Sequence, residues 1–372
     1  MNYLNNLDWE HYYNWPNTIN KMEGAGACGC FVVGANNQGK TFGIRCIAVN
    51  RYLTREDGRG RQFVEVCRIK DDIGKVAKSY CDKIVLLGIF PGYQMRSKGN
   101  EIQIRQCAKG SEQLADDKDN PEPWEVMGYV LSLKDFMQSK RMTFPDVGYI
   151  LFDEVIIEWD NKDKKYLVDE WTKLERLCVA VWRERPDKRS EGRVFLLGNS
   201  VDIGCPYFAH LGVGIPEYGQ RWCMGKTWLF DYVKPSDYRA EAVKKTIAYR
   251  LFHGADKSAM LNEFAQDNDN FIADKPQDAL YSYAIVYRNN TFGVWYGHNW
   301  DIHISHRIPT DWEQRTVYAI TTADNTPDYK LINRAHPKIK RLLTAYQSGN
   351  LYFSTPLVRE AFLEVLRLFG LK

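Results

Sequence analysis

The run Gly34-Ala35-Asn36-Asn37-Gln38-Gly39-Lys40-Thr41 satisfies G-x-x-x-x-G-K-[ST], a spacing whose chemistry is the holding of phosphate. Glycines let the backbone curl so that successive N–H groups point at phosphate oxygens. The start of the following helix adds a favourable potential for anions. In such a loop Gly34, Asn37, Gln38 and Gly39 cradle the nucleotide, Lys40 reaches the β- and γ-phosphates, and the Thr41 hydroxyl takes one Mg²⁺ position. A metal held this way needs a distant carboxylate at the end of a buried strand. Gly148-Tyr149-Ile150-Leu151-Phe152-Asp153-Glu154 supplies an apolar run ending in two acids. Asp153 is expected to bind Mg²⁺ through water, and Glu154 to polarise the water that attacks the γ-phosphate. A base beside a metal ligand suits hydrolysis better than phosphoryl transfer to a small molecule. Guanine reading would need N-K-x-D after a strand; Asn161-Lys162-Asp163-Lys164 and Thr172-Lys173 are both off that pattern, so ATP is the expected nucleotide.

The elements that must position these residues follow from the hydrophobic pattern. Cys30 to Val33 reads as a buried strand before the loop, and Phe42 to Tyr52 as a helix after it. Gln62–Cys67, Ile84–Leu87, Tyr129–Leu133, Tyr149–Asp153 and Arg193–Leu197 read as further strands. Trp171, Leu174, Leu177, Cys178 and Val181 fall at helical spacing within Asp169–Trp182. Strands alternating with helices imply a doubly wound, mostly parallel α/β sheet. There is room for one strand between the loop strand and the Asp153 strand, the arrangement of ATPases with an added strand and a catalytic glutamate (the ASCE class).

Three regions are expected: an ATPase domain over 1–203, a helical lid or linker over 204–274, and a C-terminal α+β domain over 275–372. The middle region is punctuated by Gly, Pro and Tyr up to Gln220. Two helical stretches follow, Asp237–Phe252 and Lys257–Phe264, and then the polar run Gln266-Asp267-Asn268-Asp269-Asn270. Tyr281–Tyr287, Thr291–Tyr296 and Asp301–Ser305 read as a strand meander, with Val317–Thr321 as a further strand. Helices Lys338–Gln347 and Pro356–Phe369 flank a short strand, Leu351–Phe353.

Composition narrows the class. Fifty Lys and Arg against 47 Asp and Glu exclude a protein that coats nucleic acid by bulk charge, while leaving room for local basic loops. Nine cysteines without a C-x-x-C pair fit a reducing compartment and give no zinc framework. Met1 to Trp15 carries no basic-then-apolar signal, and the longest apolar run, Ile84–Phe90, is too short to span a bilayer. A soluble intracellular protein with no membrane partner is expected. His298, Asp301, His303 and His306 cluster in sequence, but alternation places Asp301, His303 and Ser305 on the solvent face of a strand, so no metal is expected there.

In order along the chain, several landmarks together resemble the DNA-encapsidation ATPases of small podophages, the phi-29-like, terminase-related motors. After the phosphate loop come Val49-Asn50-Arg51-Tyr52, Gln62-Phe63-Val64 leading to Arg68-Ile69-Lys70, and Gln138-Ser139-Lys140 with Phe144-Pro145-Asp146. Val181-Trp182-Arg183-Glu184-Arg185, Leu197-Gly198-Asn199 with Pro206-Tyr207-Phe208, Ala284-Ile285-Val286-Tyr287 and Thr291-Phe292-Gly293-Val294-Trp295 complete the series. The similarity runs from about residue 22 to the end, and the Phe-Gly-Val-Trp hairpin is its most specific part.

The resemblance implies a homo-oligomeric ring, pentameric in this family, docked on the portal of an empty prohead in the host cytoplasm, with or without a structural RNA. ATP and Mg²⁺ would drive double-stranded DNA inward. It implies an arginine finger from the neighbouring subunit at Arg183, with Arg185 the close alternative. The same residues also read as a solvated basic run with Lys188, Arg189 and Arg193. Asn199 matches a polar sensor position that orients the attacking water, or is a turn asparagine. Arg68 and Lys70, expected beside the phosphate-loop strand, would restrain Glu154 or act in trans, or form a plain surface pair; Lys140 would reach a neighbour's nucleotide. Arg55, Arg59 and Arg61, in the charged stretch 54–61, are candidate DNA contacts, directed at phosphate because a packaging motor must grip any sequence. The C-terminal domain would be an RNase-H-like nuclease that has lost its acids: Tyr281–Tyr287 carries none, and Asp324 and Asp328 lie in a polar stretch. The competing expectations are a terminase with a working nuclease and a nucleotide-gated portal assembly factor.

Overall fold

The computed structural model describes residues 3–35, 38–54, 61–113, 120–136, 144, 146–157, 166–182, 192–199, 205, 207, 210, 221–225, 227–234, 236–247, 251, 271–288, 290–297 and 300–371. The chain divides into two compact units, Met1–Val201 with Pro216–Ala265, and Asp202–Ile215 with Gln266–Lys372.

In the first unit the order is α1 (Trp15–Gly24), β1 (Gly29–Gly34), α2 (Lys40–Thr54), β2 (Gln62–Cys67), α3 (Ile73–Leu86), β3 (Tyr93–Lys98), β4 (Glu101–Gln106), β5 (Glu125–Ser132), β6 (Val147–Phe152), α4 (Glu170–Trp182), β7 (Arg193–Gly198), β8 (Cys223–Met224), β9 (Trp228–Val233) and α5 (Asp237–Lys244). They build a nine-stranded sheet in the order β3-β4-β5-β2-β6-β7-β1-β9-β8. The six strands from β5 to β9 in that order pair in parallel, and the edges are antiparallel. Strands β1 and β6 are buried along their whole length, which is why both read as unbroken apolar runs. The added strand is β7, lying between β1 and β6 in the sheet.

Three expectations are corrected here. Ile84–Leu87 is the end of α3, not a strand. Ala77, Tyr80, Cys81 and Ile84 recur at helical spacing and are buried, while Leu86 and Leu87 are left exposed. Nor does β2 lie beside the phosphate-loop strand; β6 and β7 stand between them. Finally, the described part of 204–274 is not all helical but includes a strand of the main sheet. Within it, β9 pairs with β1 from Gly29↔Trp228 to Gly34↔Val233 and so belongs to the main sheet. Asp231 interrupts the apolar pattern of β9. It is fully buried, and its carboxylate accepts from the Tyr13 hydroxyl at 2.6 Å and from Arg221 Nη2 at 2.9 Å. A buried strand with a paired charge in its middle does not look like one in sequence.

The second unit contains β10 (Leu280–Tyr287), β11 (Asn290–Tyr296), β12 (Ile302–Ser305), β13 (Val317–Ala319), β14 (Lys330–Leu331), α6 (Pro337–Gln347), β15 (Leu351–Phe353) and α7 (Pro356–Leu368). Its six-stranded sheet runs β14-β13-β10-β11-β12-β15, with β10, β11 and β12 as an antiparallel meander and parallel pairings outside it. Tyr283, Ile285, Phe292 and Val294 pack with Phe362, Val365 and Leu366 of α7 in one core. His303 and Ser305 are buried rather than solvent-facing: β12 is an inner strand, and His303 stacks on Tyr352 with centroids 5.2 Å apart. Among the described residues no group of His, Cys, Asp and Glu is placed to hold a metal, and no helix is long and apolar enough to cross a membrane.

Candidate nucleotide site

The site sits where β1, β7 and β6 end. Registers Val33↔Gly198 and Phe152↔Leu196 bring Gly34, Asn199 and Asp153 to the same edge of the sheet. From there the chain turns through Gly39, at φ +79°, a left-handed conformation that glycine adopts without the cost borne by other residues. A Cβ at Gly39 would also lie 3.1 Å from the Tyr12 ring. The first glycine of the motif, Gly34, leaves room for Gln38, whose Oε1 would be only 2.3 Å from a Cβ there.

Lys40 begins α2, and its side chain folds back along the loop. Its Nζ donates to Gly34 O at 2.6 Å, Ala35 O at 2.7 Å and Asn199 Oδ1 at 3.3 Å. Burial pulls the Lys40 ammonium down from 10.5 to about 8, against the opposing charge of Asp153. Thr41 Oγ1 donates to Asp153 Oδ2 at 2.8 Å. A hydroxyl and a carboxylate held this close are a pair of hard oxygen donors, and they fit Mg²⁺, which favours oxygen ligands and retains water. Lys40, Thr41, Asp153, Glu154 and Asn199 line one cavity of about 330 Å³.

Glu154 is exposed, and its backbone is left-handed at φ 53°. Such a conformation costs a non-glycine residue on the order of 1–3 kcal/mol and persists only where neighbours enforce it. They do so here. Glu154 N donates to Asp153 Oδ1 at 2.9 Å, Arg68 Nη1 donates to Glu154 O at 2.6 Å, and Arg68 Nη2 donates to Val155 O at 2.5 Å. Arg68 Nε is itself held by both oxygens of Glu170 at 3.1 Å. Arg68 thus clamps the backbone on which Glu154 stands. Lys70 is exposed at the head of a short turn (Lys70–Asp72). Arg61 lies at the start of β2, the end of the sheet away from the phosphate loop. Its Nε donates to Tyr52 O at 2.9 Å, and its guanidinium covers the Tyr52 ring at 4.5 Å. Asn37, Arg55, Arg59, Lys140, Arg183 and Arg185 lie outside the described residues.

Two supports were not read from the sequence. The first is the aromatic stretch before α1. Tyr13 N donates to Gln38 O at 2.9 Å, and Trp15 Nε1 to Lys40 O at 2.7 Å, so this stretch braces the loop from behind. With Phe42 and Leu87, Trp9 and Tyr12 also wall an apolar pocket of about 450 Å³ beside Gly39. The density of aromatics in Trp9-Glu10-His11-Tyr12-Tyr13-Asn14-Trp15 was the available signal. The second is a buried ion pair beneath α2: Arg45 holds Glu65 of β2 through Nε at 3.0 Å and through Nη2, and lies over the Tyr80 ring at 4.8 Å. Burial pushes the Glu65 carboxyl up, against the pull of Arg45.

The family described as podovirus DNA encapsidation protein (Gp16) matches residues 7–370. A DNA packaging protein of Bacillus phage B103 is 27% identical over 343 residues, covering 91% of this chain and 96% of its own. The DNA packaging protein of Bacillus phage phi29 is 28% identical over 346 residues, with 91% and 92% covered. Among solved structures, a chain of the bacteriophage phi-29 genome packaging motor assembly superposes with a TM-score of 0.61 at 24% identity, covering 97% of this chain and all of that one. The Phi-28 gp11 DNA packaging motor gives 0.64 at 17% identity, with 95% and 97% covered.

Proposed function

This chain belongs to the podovirus DNA encapsidation protein family, and from that premise we propose that it is the ATPase that drives double-stranded viral DNA into a preformed prohead. The observation that carries the reading is the meeting of Lys40, Thr41, Asp153 and Glu154 at one edge of a parallel sheet, with β7 between the loop strand and the acid strand. Lys40 leaves its backbone carbonyls for the β- and γ-phosphates. Thr41 and Asp153 hold Mg²⁺, which when bound offsets phosphate charge. The Glu154 carboxylate accepts the proton of the attacking water, and Asn199 orients that water. Charge developing on the γ-phosphate needs a further cation, a role worth on the order of 10³–10⁵ in rate. We assign it to Arg183, or to Arg185, of a neighbouring copy in a ring of five, with Lys140 reaching across the same boundary. Arg68 sets the backbone of Glu154, Lys70 acts in trans on a neighbouring copy, and Arg55, Arg59 and Arg61 are the proposed DNA-phosphate contacts. The partners are then DNA and the portal of a prohead, with or without an RNA, met in the host cytoplasm.

We further propose that the second unit cuts no DNA. No carboxylate stands on β10, and Tyr283, Ala284 and Ile285 at its centre are buried. The test is packaging itself: purified proheads, genomic DNA and ATP, scored by DNA protected from nuclease. Wild type should protect full-length DNA, and Glu154→Gln none. Protection that does not depend on hydrolysis would overturn the motor reading in favour of an assembly factor.

A further inference from the structure

Part of the wall of the nucleotide cavity is α3, and it presents one cation. Three lysines lie on this helix, Lys75, Lys78 and Lys83. Lys75 turns back to Asp72 at 3.5 Å, and only Lys83 lines the cavity that holds Thr41, Asp153, Glu154 and Asn199. Ser79, one helical turn earlier, lines it too. Tyr80 and Ile84, which line it as well, are buried and anchor the helix. Among the described residues the Lys83 ammonium makes no hydrogen bond and no ion pair, and the residue is exposed.

The charges around the cavity leave a task for it. Asp153 and Glu154 are both acids, and a nucleoside triphosphate adds more negative charge. Arg45 is committed to Glu65, so Lys40 is the one cation of the loop available to phosphate. We propose that Lys83, from the same chain, contacts the terminal phosphate of a bound nucleoside triphosphate and so makes the site prefer triphosphate over diphosphate. The inference rests on the nucleotide-binding reading above. It differs from the proposed finger in origin, since it needs no second copy.

The test is equilibrium binding of ATP and ADP to the full chain with Mg²⁺, by competition against a fluorescent nucleotide, for wild type, Lys83→Met and Lys83→Arg. A flexible charge meeting a phosphate at a solvent-accessible wall is expected to be worth about tenfold in affinity. Lys83→Met should weaken ATP about tenfold, leave ADP within about twofold, and flatten the salt dependence of ATP binding alone. Lys83→Arg should restore most of the ATP affinity. Equal losses for ATP and ADP, or unchanged ATP affinity at an unchanged melting temperature, would overturn the inference. Absence of nucleotide binding by wild type would instead remove the reading beneath it, and the inference with it.

Discussion

The two sheets of this molecule place their chemistry differently. In the first, parallel strands end together and the residues just beyond them carry the working groups: Lys40 and Thr41 after β1, Asp153 and Glu154 after β6, Asn199 after β7. In the second, the central strands form an antiparallel meander, and β10 offers Tyr281, Tyr283, Ile285 and Tyr287 where a metal-dependent nuclease would need acids. Both sheets have buried cores of comparable character. What separates them is whether charged groups converge at one edge, so stability and reactivity are separately encoded.

This contrast can be broken at either sheet. The largest effect is expected at Lys40. Lys40→Ala should lower ATP turnover by about 10³-fold or more, since the loop then holds phosphate without its ammonium; steady-state phosphate release checks it. Next comes the pair under α2. Glu65→Leu strands a buried guanidinium and should cost about 3–5 kcal/mol in urea unfolding, while the double variant with Arg45→Met should recover much of it. Arg68→Ala frees the backbone of Glu154. A misplaced base should slow turnover by up to about 10²-fold with ATP affinity retained, a split between kcat and binding that simple unfolding would not give.

A smaller effect follows from Lys40 titrating at about 8 in the unliganded protein. Phosphate favours the charged form, so the complex holds the proton to higher pH than the free protein. ATP affinity should therefore fall as pH rises through 8, by at most about tenfold per pH unit, and binding near pH 8.5 should take up protons. Calorimetry in buffers of different ionisation heat measures this directly. The smallest effect belongs to the second sheet. Asp324, which accepts from Thr321 Oγ1 at 2.6 Å, should change nothing when replaced by alanine, and wild type should leave DNA intact with Mn²⁺.

Much of the site was legible because its chemistry is local. The Gly34–Thr41 spacing and the Asp153-Glu154 pair state their own geometry, and the structure brings them to one cavity. Elements held by long-range pairing were harder to read. Strand β9 hides behind Asp231, whose partners Tyr13 and Arg221 are far away in sequence or outside the strand. The β3–β4 hairpin turns on Gly99, at φ +63°, with Asn100, a short signal between two polar strands. Ile84 to Leu87 mimicked a strand because apolar residues run together where α3 ends, Ile84 facing the core while Leu86 and Leu87 are left exposed. Likewise the bracing of the loop by Tyr13 and Trp15 depends on a fold the aromatic stretch does not itself specify.

The central claim is that Glu154 and Lys40 act on one bound ATP. Its most direct test is ATP hydrolysis and ATP binding measured together, with and without double-stranded DNA, for wild type and Glu154→Gln. The account predicts turnover in wild type that rises with DNA, and turnover reduced at least about 100-fold in Glu154→Gln while ATP stays bound. Hydrolysis by Glu154→Gln at the wild-type rate would contradict it.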